Sequence, residues 1–337
     1  MNEKYYCGVD IGGTNVRASL ADREGIKRKL RQNVKLKGSV DSMPSQIMEM
    51  IKDLCGYKNI SLDDVGGIGI SSCGPFVKRD NNISLVSPNL CGGLAGERGI
   101  IPNDWVEIFL EKELVERYNG EIKIENDCVS AVVAESLFGA GRGEDNLVYV
   151  TWSTGIGAGA YTEGRLLRGK NGNAPHLGHI FISEDGPLCG CGNRGDLESM
   201  CSGGAIARDY GVGDKETEKV FNSYSSGDIR ARDVVQRAAR NFARGLASIN
   251  AILDTKTFVI GGGVFMNNYD ILLPLIEKEF YKSFPILSKD AKIEKSQLDD
   301  YLGDVAALSL VVPENWIRDW QEKRPWEKYS KVEVFML

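Results

Sequence analysis

Histidine is almost missing from this chain, whose 337 residues include only two, His176 and His179. The two lie three positions apart and are followed closely by Cys189 and Cys191. Imidazole and thiolate are the usual zinc ligands, so one short stretch combines the side-chain types of a metal site. Because histidine is absent everywhere else, this placement indicates a binding centre.

An excess of positive charge and a long apolar run are also missing. The 41 Lys and Arg face 47 Asp and Glu, which gives a net charge of −6 and predicts no nucleic-acid partner. No apolar run reaches the roughly 18 residues of a membrane helix, and the first six residues contain no apolar signal segment. We therefore predict a cytoplasmic protein with no membrane partner.

A disulfide framework is the third absence. Eight cysteines in a chain of this length are better explained as thiols in a reducing compartment. Only Cys189 and Cys191, with Cys201 nearby, are spaced like metal ligands.

Glycine, in contrast, is abundant, with 39 residues, and three clusters follow predicted strands. The pattern strand–glycine–strand occurs at 5–21 and again at 147–167, which predicts a duplicated fold. No helix follows the first cluster, so it is not a Rossmann fingerprint. The third cluster follows a strand at 258–260.

Together these clusters could surround one nucleotide: the first two would hold phosphates through backbone N–H groups, and the third, which has no side chains, would leave room for the flat base. The alternative for the first cluster alone is a plain hairpin turn. The predicted ATP-binding residues are Asp10, Gly12, Gly13, Thr14, Asn15, Ser153, Thr154, Gly155, Gly157, Gly261, Gly262 and Gly263.

Asp127 follows a predicted strand at 122–124, and ligands collect at strand ends in α/β folds. A carboxylate there can accept the proton of a substrate hydroxyl that attacks phosphorus. Asp10 is the natural carboxylate for Mg²⁺, held through water. The alternative for Asp127 is a cap for the helix predicted at 128–138, and one residue can serve both roles.

Further helices are predicted at 44–54, 104–118, 232–253 and 269–281. The segment 79–103 reads as one long irregular loop, and the tail from 313 with its three tryptophans reads as packed.

The motifs above, together with Glu125-Asn126-Asp127, Gly195-Asp196-Leu197-Glu198 and Gly203, resemble the ROK family (repressors, open reading frames, sugar kinases) from about residue 5 to about residue 308. The resemblance implies an α/β, actin-like ATPase (ribonuclease H-like) fold with two α/β domains flanking a nucleotide and sugar cleft. We expect a smaller domain at 1–125 plus about 305–337, with a returning C-terminal helix. The larger domain, 126–304, carries the zinc-type motif.

The resemblance also implies an ATP-dependent hexokinase- or glucokinase-type phosphotransferase acting on glucose, mannose or an N-acetylhexosamine. Asp127 would deprotonate the hexose 6-hydroxyl, and a homodimer or homotetramer is expected. The family's repressors carry a helix-turn-helix domain before the first glycine hairpin; here that hairpin begins at residue 10, which favours a kinase. The implied substrate-binding residues are Gly74, Asn89, Asn126, Asp127, His176, His179 and Glu198.

Two positions depart from the family pattern. His176 stands where the family has a Glu that binds the sugar. The site could therefore select a sugar with an N-acetyl group. It could also select an atypical acceptor, such as a ketose, a sugar alcohol, allose or an inositol-like compound. A non-catalytic, sugar-sensing regulator is the other alternative.

The family's zinc site has one His and three Cys, and Asp196 stands at the third Cys position. We expect His179, Cys189, Cys191 and Asp196 around a structural Zn²⁺. The alternatives are His176 with His179, Cys189 and Cys191, a ligand role for Cys201, or no metal at all.

Overall fold

A computed structural model describes residues 4–80, 82–94, 101–329 and 335–336. Within these residues the chain forms two compact units. Unit 1 takes the described parts of Met1–Phe138, Arg168–Asn173 and Asp300–Leu337, and unit 2 takes Gly139–Leu167 and Ala174–Asp299. The domain boundaries expected at 125 and about 305 stay predictions; unit 1 as observed continues to Phe138 and resumes at Asp300.

The strands are β1 Tyr5–Ile11, β2 Asn15–Asp22, β3 Gly25–Asn33, β4 Val65–Ser72, β5 Phe76–Arg79, β6 Asn82–Leu85, β7 Glu121–Asn126, β8 Leu147–Trp152, β9 Ile156–Thr162, β10 Arg165–Leu166, β11 Thr257–Gly261, β12 Lys292–Lys295 and β13 Phe335–Met336. The helices are α1 Ser42–Lys58, α2 Leu110–Val115, α3 Asp127–Phe138, α4 Leu197–Cys201, α5 Gly203–Tyr210, α6 Thr217–Ser225, α7 Ile229–Leu253, α8 Gly263–Asn267, α9 Tyr269–Phe280, α10 Pro285–Ser288, α11 Leu302–Ser309 and α12 Glu314–Lys323.

Each unit is built on one sheet of the same design. Unit 1 has the strand order β13-β3-β2-β1-β4-β7, and unit 2 has β10-β9-β8-β11-β12. In both, an antiparallel hairpin (β1–β2, β8–β9) is continued by parallel strands (β4 and β7, β11 and β12). The predicted duplication of a strand–glycine–strand unit is confirmed.

The prediction of a helix over 104–118 is wrong, because only Leu110–Val115 within this range is an α-helix. The Asn103 side-chain oxygen accepts hydrogen bonds from Gly92 N (2.7 Å) and Trp105 N (3.1 Å), which holds the chain in a turn. Ile108 then pairs with Leu85 as an isolated antiparallel bridge. Tertiary hydrogen bonds therefore override the helical pattern of the sequence.

The segment 79–103 is likewise not one irregular loop. It contains strand β6, which pairs with β5 in a two-stranded hairpin, and a short 3₁₀ turn at Gly92–Leu94. Residues 81 and 95–100 of the predicted loop lie outside the described residues.

The tail from residue 313 packs onto unit 1, as predicted. Trp316, Trp320 and Trp326 are all buried. Trp320 donates from its indole N–H to the carbonyl of Arg23 (3.1 Å), and its ring lies 5.8 Å from that of Phe138. The tail thus covers the C-terminal end of α3, the helix that begins at Asp127.

We expect Trp320→Ala to lower the free energy of unfolding by about 3–5 kcal/mol, because it leaves a cavity against Phe138 and removes the bond to Arg23. Trp320→Phe keeps most of the buried surface and should cost clearly less. Urea denaturation of the two variants and the parent measures both losses. Equal stability of the alanine variant and the parent would contradict a structural role for the tail.

Candidate active site

The first glycine turn closes tightly in unit 1. Gly12 N–H donates to the carbonyl of Asn15 at 2.9 Å, and Arg31 donates to the Asn15 side-chain oxygen at 3.2 Å. A Cβ placed on Gly13 would lie 3.3 Å from the Cβ of Asn89. The turn expected to bind nucleotide therefore lies against a residue expected to bind sugar.

Asp10, near the end of β1, has a carboxyl whose pKa is strongly shifted by its surroundings. Burial raises the pKa of its carboxyl to about 7; Arg17 opposes the rise, and the negative charges of Asp127 and Asp304 add to it. Asp10 and Arg17 are cross-strand partners, and a Cβ on Gly303 would lie 3.2 Å from Asp10 Oδ2. A nearby cation would stabilise the charged form of this carboxylate, which fits a Mg²⁺ role.

The adjacent parallel strands β4 and β7 place three predicted residues together. Asn126 ends β7 opposite Ser72 of β4. A Cβ on Gly74 would lie 3.3 Å from Asn126 Nδ2, and Asp127 follows as the first residue of α3. Unit 1 thus brings Gly74, Asn126 and Asp127 to one edge of its sheet.

Helix α3 is capped by Asn126, and Asp127, the first residue of the helix, has features of a base. Its Oδ1 accepts the backbone N–H of Cys128 at 2.8 Å, and Asn126 Oδ1 accepts the same N–H at 3.1 Å. Residue 127 is accessible to solvent, but the protein packed around its carboxyl partly desolvates it and raises its pKa, an effect that these hydrogen bonds only partly oppose. An oriented carboxylate of raised basicity is what general-base catalysis requires.

In unit 2 the other two glycine clusters meet at the carboxyl ends of the parallel strands β8 and β11. Ser153 N–H donates to Gly155 O (2.9 Å), and Gly203 N–H donates to Ser153 O (2.8 Å). Gly262 has φ +88°, and a Cβ there would lie 2.6 Å from the carbonyl oxygen of Trp152, so no other residue fits. The remaining predicted nucleotide residues of this unit, Thr154, Gly157, Gly261 and Gly263, lie in or beside these turns.

Glu198 connects the glycine turn to the cysteine-rich segment. Its Oε2 accepts the backbone N–H of Ile156 at 2.9 Å, and its Oε1 lies 3.8 Å from Cys189 Sγ. A Cβ on Gly155 would lie only 2.7 Å from Oε2. The residue expected to bind sugar therefore also fixes the shape of a predicted phosphate-binding turn.

Gly155→Ala should raise the KM for ATP roughly tenfold or more, because the new methyl group displaces Glu198 from the turn and overpacking of this kind costs about 1–3 kcal/mol. Gly204→Ala is the matched control, since a Cβ there has no neighbour closer than 3.9 Å. Steady-state kinetics with varied ATP compares the two variants. A normal KM for ATP in the Gly155 variant would disprove the role of the turn.

Four metal-ligand types gather in unit 2: among the described residues, donor atoms of His179, Cys189, Cys191 and Asp196 all lie within 4.8 Å of one another. His179 Nδ1 is 3.0 Å from Asp196 Oδ2 and 3.8 Å from Cys189 Sγ, and Cys191 Sγ is 3.3 Å from Asp196 Oδ2. Tetrahedral zinc with bonds of about 2.0–2.3 Å separates its ligand atoms by roughly 3.3–3.8 Å. The donor set and its spacing fit Zn²⁺.

Asp196 is oriented for this role by the start of α4. One oxygen, Oδ1, accepts the N–H of Ser199 at 2.9 Å, as a helix cap does, which leaves Oδ2 facing His179 and Cys191. Burial alone would raise the pKa of Asp196, but hydrogen bonds from Cys189, Ser199 and His179 outweigh it and lower the pKa. The carboxyl is therefore ionised, the form that binds metal.

The alternative ligands lie outside this group of four. Cys201 is fully buried in α4, where its thiol donates to Leu197 O. The ring of His176 is centred 5.7 Å from that of His179. Burial, and then the charge of His179, lower the pKa of His176, so its imidazole is neutral at pH 7.

His176 borders an apolar groove of about 270 Å³ within unit 2. Pro175, Phe181 and Ile252 form part of its lining, and Phe181 and Ile252 are largely exposed. The position at which the resemblance implies a Glu therefore carries a neutral ring beside an apolar surface.

Four residues near these groups were not predicted from the sequence. Arg17 could have been found, because the register of the β1–β2 hairpin pairs it with Asp10. Asp304, Arg168 and Asn173 carry no local signal, since only the folded chain brings them to Asp10, Glu125 and Phe76.

Comparison with known proteins decides the family. The model of the ROK family matches residues 6–313. This chain belongs to the ROK family. The tail that covers α3 begins where the match ends, so it is an addition to the family pattern.

Two curated proteins have similar sequences. The glucokinase of Thermotoga maritima is 30% identical over 322 residues, which cover 90% of this chain and 96% of the relative. The N-acetylmannosamine kinase of Escherichia coli is 31% identical over 260 residues, which cover 76% of this chain and 82% of the relative.

A solved ROK structure has the same fold. The ROK family glucokinase from Streptomyces griseus, in complex with glucose and AMPPNP, matches with a TM-score of 0.66 and 25% identity, over 91% of this chain and 99% of that chain. The expected actin-like ATPase fold is thereby confirmed. None of the helices in the described part of the chain combines the length and apolarity needed to cross a bilayer.

Proposed function

We propose that this protein is an ATP-dependent sugar kinase that transfers the γ-phosphate of ATP to the 6-hydroxyl of a hexose of the glucose, mannose or N-acetylhexosamine class. The observation that carries the proposal is Asp127, an oriented carboxylate of raised pKa beside Asn126 and Gly74. The similarity to proteins named glucokinase and N-acetylmannosamine kinase supports it.

In the proposed reaction the carboxylate of Asp127 accepts the proton of the 6-hydroxyl as the bond from O6 to the γ-phosphorus forms. The bond from that phosphorus to the bridging oxygen breaks, and ADP leaves. The backbone N–H of Cys128 holds Asp127 Oδ1 in place, which leaves Oδ2 for the substrate. General-base assistance of this kind contributes about 10²–10⁴-fold to the rate.

We assign phosphate binding to the glycine turns at 12–14 and 153–157, whose backbone N–H groups suit anionic oxygens, and space for the flat base of the nucleotide to the turn at 261–263. Asp10 would hold Mg²⁺ through water, and this ion would neutralise charge on the phosphates. Arg17 limits the rise in the pKa of Asp10 and so keeps more of this carboxyl ionised.

We assign a structural Zn²⁺ to His179, Cys189, Cys191 and Asp196. Because His179 turns Nδ1 toward this group, its Nε2 remains for a sugar hydroxyl, and one residue can serve both predicted roles. Glu198 joins the zinc ligands to the glycine turn through Ile156, so loss of the metal should disturb the turn.

For the acceptor, we assign sugar contacts to Gly74, Asn89, Asn126, His176, His179 and Glu198. A neutral imidazole beside an apolar groove favours a substituent with a carbonyl acceptor and a methyl group, as in an N-acetylhexosamine. A ketose, allose or inositol-like acceptor is the second candidate, because His176 is not the family's Glu.

A coupled ADP-release assay with Mg-ATP tests the function. The panel contains glucose, mannose, fructose, allose, glucosamine, N-acetylglucosamine, N-acetylmannosamine and inositol. Turnover of one sugar over the others would identify the acceptor. Folded protein that binds ATP and sugar but turns over none of them would instead favour a sugar-sensing regulator.

The cytoplasmic location and the homodimer or homotetramer stay predictions. Sedimentation equilibrium of the purified protein measures the assembly directly.

A further inference from the structure

One segment of unit 1 comes from the middle of the chain. The chain leaves unit 2 after Leu167, contributes Arg168–Asn173 to unit 1, and returns to unit 2 at Ala174. We call Arg168–Asn173 the crossing segment. Its two end residues contact two different loops of the proposed acceptor site.

Asn173 binds the turn that carries Gly74. Its Nδ2 donates to Phe76 O at 2.8 Å, and its Oδ1 accepts from Phe76 N at 2.8 Å. The side-chain amide therefore pairs with the backbone of β5 as a neighbouring strand would. A Cβ on Gly74 would lie 3.8 Å from Asn173 Oδ1 and 3.3 Å from Asn126 Nδ2, so the two amides flank Gly74.

Arg168 binds the loop that carries Asn126 and Asp127. Its Nε donates to Glu125 Oε1 at 2.6 Å, and the Glu125 side chain is only 11% exposed. Glu125 directly precedes Asn126 and Asp127. The Arg168 side chain is 49% exposed, so water screens part of this pair, but the charged hydrogen bond still orients the buried carboxylate of Glu125.

We propose that Arg168 and Asn173 are positioning residues for the acceptor sugar, which hold the Gly74 turn and the Asn126–Asp127 pair at a fixed separation. The inference rests on the proposed function. Each loop supplies its own sugar contacts from the end of a different strand, so the spacing of the loops decides whether one sugar can reach both. The pairing of β4 with β7 sets this spacing, and three hydrogen bonds to the crossing segment hold the two loops in place beyond the ends of these strands.

Asn173→Ala tests the inference, with Asn171→Ala as the matched control from the same segment. Among the described residues, Asn171 accepts one long bond, from Lys78 N at 3.4 Å, so its loss should change little. We expect Asn173→Ala to raise the KM for sugar about tenfold, because it removes both hydrogen bonds to the backbone of Phe76. The KM for ATP should stay within about twofold of the parent value.

Asn173→Asp keeps the acceptor for Phe76 N but places a carboxylate oxygen against the carbonyl oxygen of Phe76, so it loses one bond and adds repulsion. Its KM for sugar should be at least as high as that of the alanine variant. Arg168→Gln should also raise the KM for sugar, and combined with Asn173→Ala it should give less than the product of the two effects, since both residues act on one geometry.

Calorimetric titration of sugar without ATP separates this inference from the proposed function. A parent protein that binds sugar but lacks turnover would refute the kinase proposal alone, and weaker sugar binding by Asn173→Ala would then still support the positioning role. Equal sugar binding by the parent and Asn173→Ala would overturn the inference. If Asn173→Ala weakens the binding of sugar and of ATP to the same degree and lowers Tm, then Asn173 has only a structural role, and the inference is overturned too. A parent that binds no sugar would overturn both.

Discussion

Asp127→Asn is expected to lower kcat by about 10²–10⁴-fold, because an amide cannot accept the proton of the sugar hydroxyl. Substrate binding should change little, since the amide oxygen can still accept the N–H of Cys128 that now bonds to Asp127. The measurement is kcat and both KM values, together with calorimetric binding of sugar. Turnover within tenfold of the parent would remove Asp127 from the role of base.

Misfolding can be separated from loss of chemistry through stability. The surroundings of Asp127 raise the pKa of its carboxyl, so they disfavour its charge, and a neutral amide should leave Tm unchanged or increase it. An inactive variant with a clearly lower Tm would therefore not count as evidence for the base.

The raised pKa also fixes the sign of the pH dependence. The base must be ionised to accept a proton, so the rate falls as the pH falls through the pKa of Asp127. We expect the acidic limb of kcat/KM to lie above the range of an ordinary aspartate. An acidic limb near pH 4 would contradict the raised pKa.

Removal of zinc is expected to have the second large effect. Protein never exposed to chelator should contain about one zinc per chain, and its removal should lower Tm by about 10 °C or more, because structural zinc contributes folding free energy directly. Elemental analysis and thermal denaturation before and after chelation measure both. Zinc well below one per chain would refute the site.

Asp196→Asn isolates the metal role of the carboxylate. Asparagine caps a helix as well as aspartate does, so the bond from Ser199 N–H survives while a charged ligand is lost. We expect weaker zinc binding in this variant and unchanged zinc content in His176→Ala. The reverse result would favour the ligand set with two histidines.

The strand–glycine–strand hairpins were predictable because their signal is local. An apolar strand, a glycine turn and a second strand lie within about twenty residues, and the observed β1 and β2 extend the predicted strands by only a few residues. The same holds for α7 and α9, whose long apolar periodicity predicted them closely.

Features set by distant partners could not be predicted. The helical pattern after Asp104 gave way to side-chain bonds from Asn103 and to pairing of Ile108 with Leu85. Strand β3 was missed because its Lys and Arg residues hide the alternation that marks a strand. The contacts of Glu198 with Ile156, and of Asn173 with Phe76, arise between segments that no local pattern relates.

The discontinuity of unit 1 has a consequence for synthesis on the ribosome. Helix α11 (Leu302–Ser309) packs on strands β1 and β4 and on α3, so the core of the unit that emerges first is completed by residues made long after these three elements. The final strand of unit 2, Lys292–Lys295, emerges earlier. Unit 2 can therefore finish folding first, whereas the N-terminal sheet keeps an open apolar face until α11 emerges, and this is the stage at which a nascent chain most needs a chaperone.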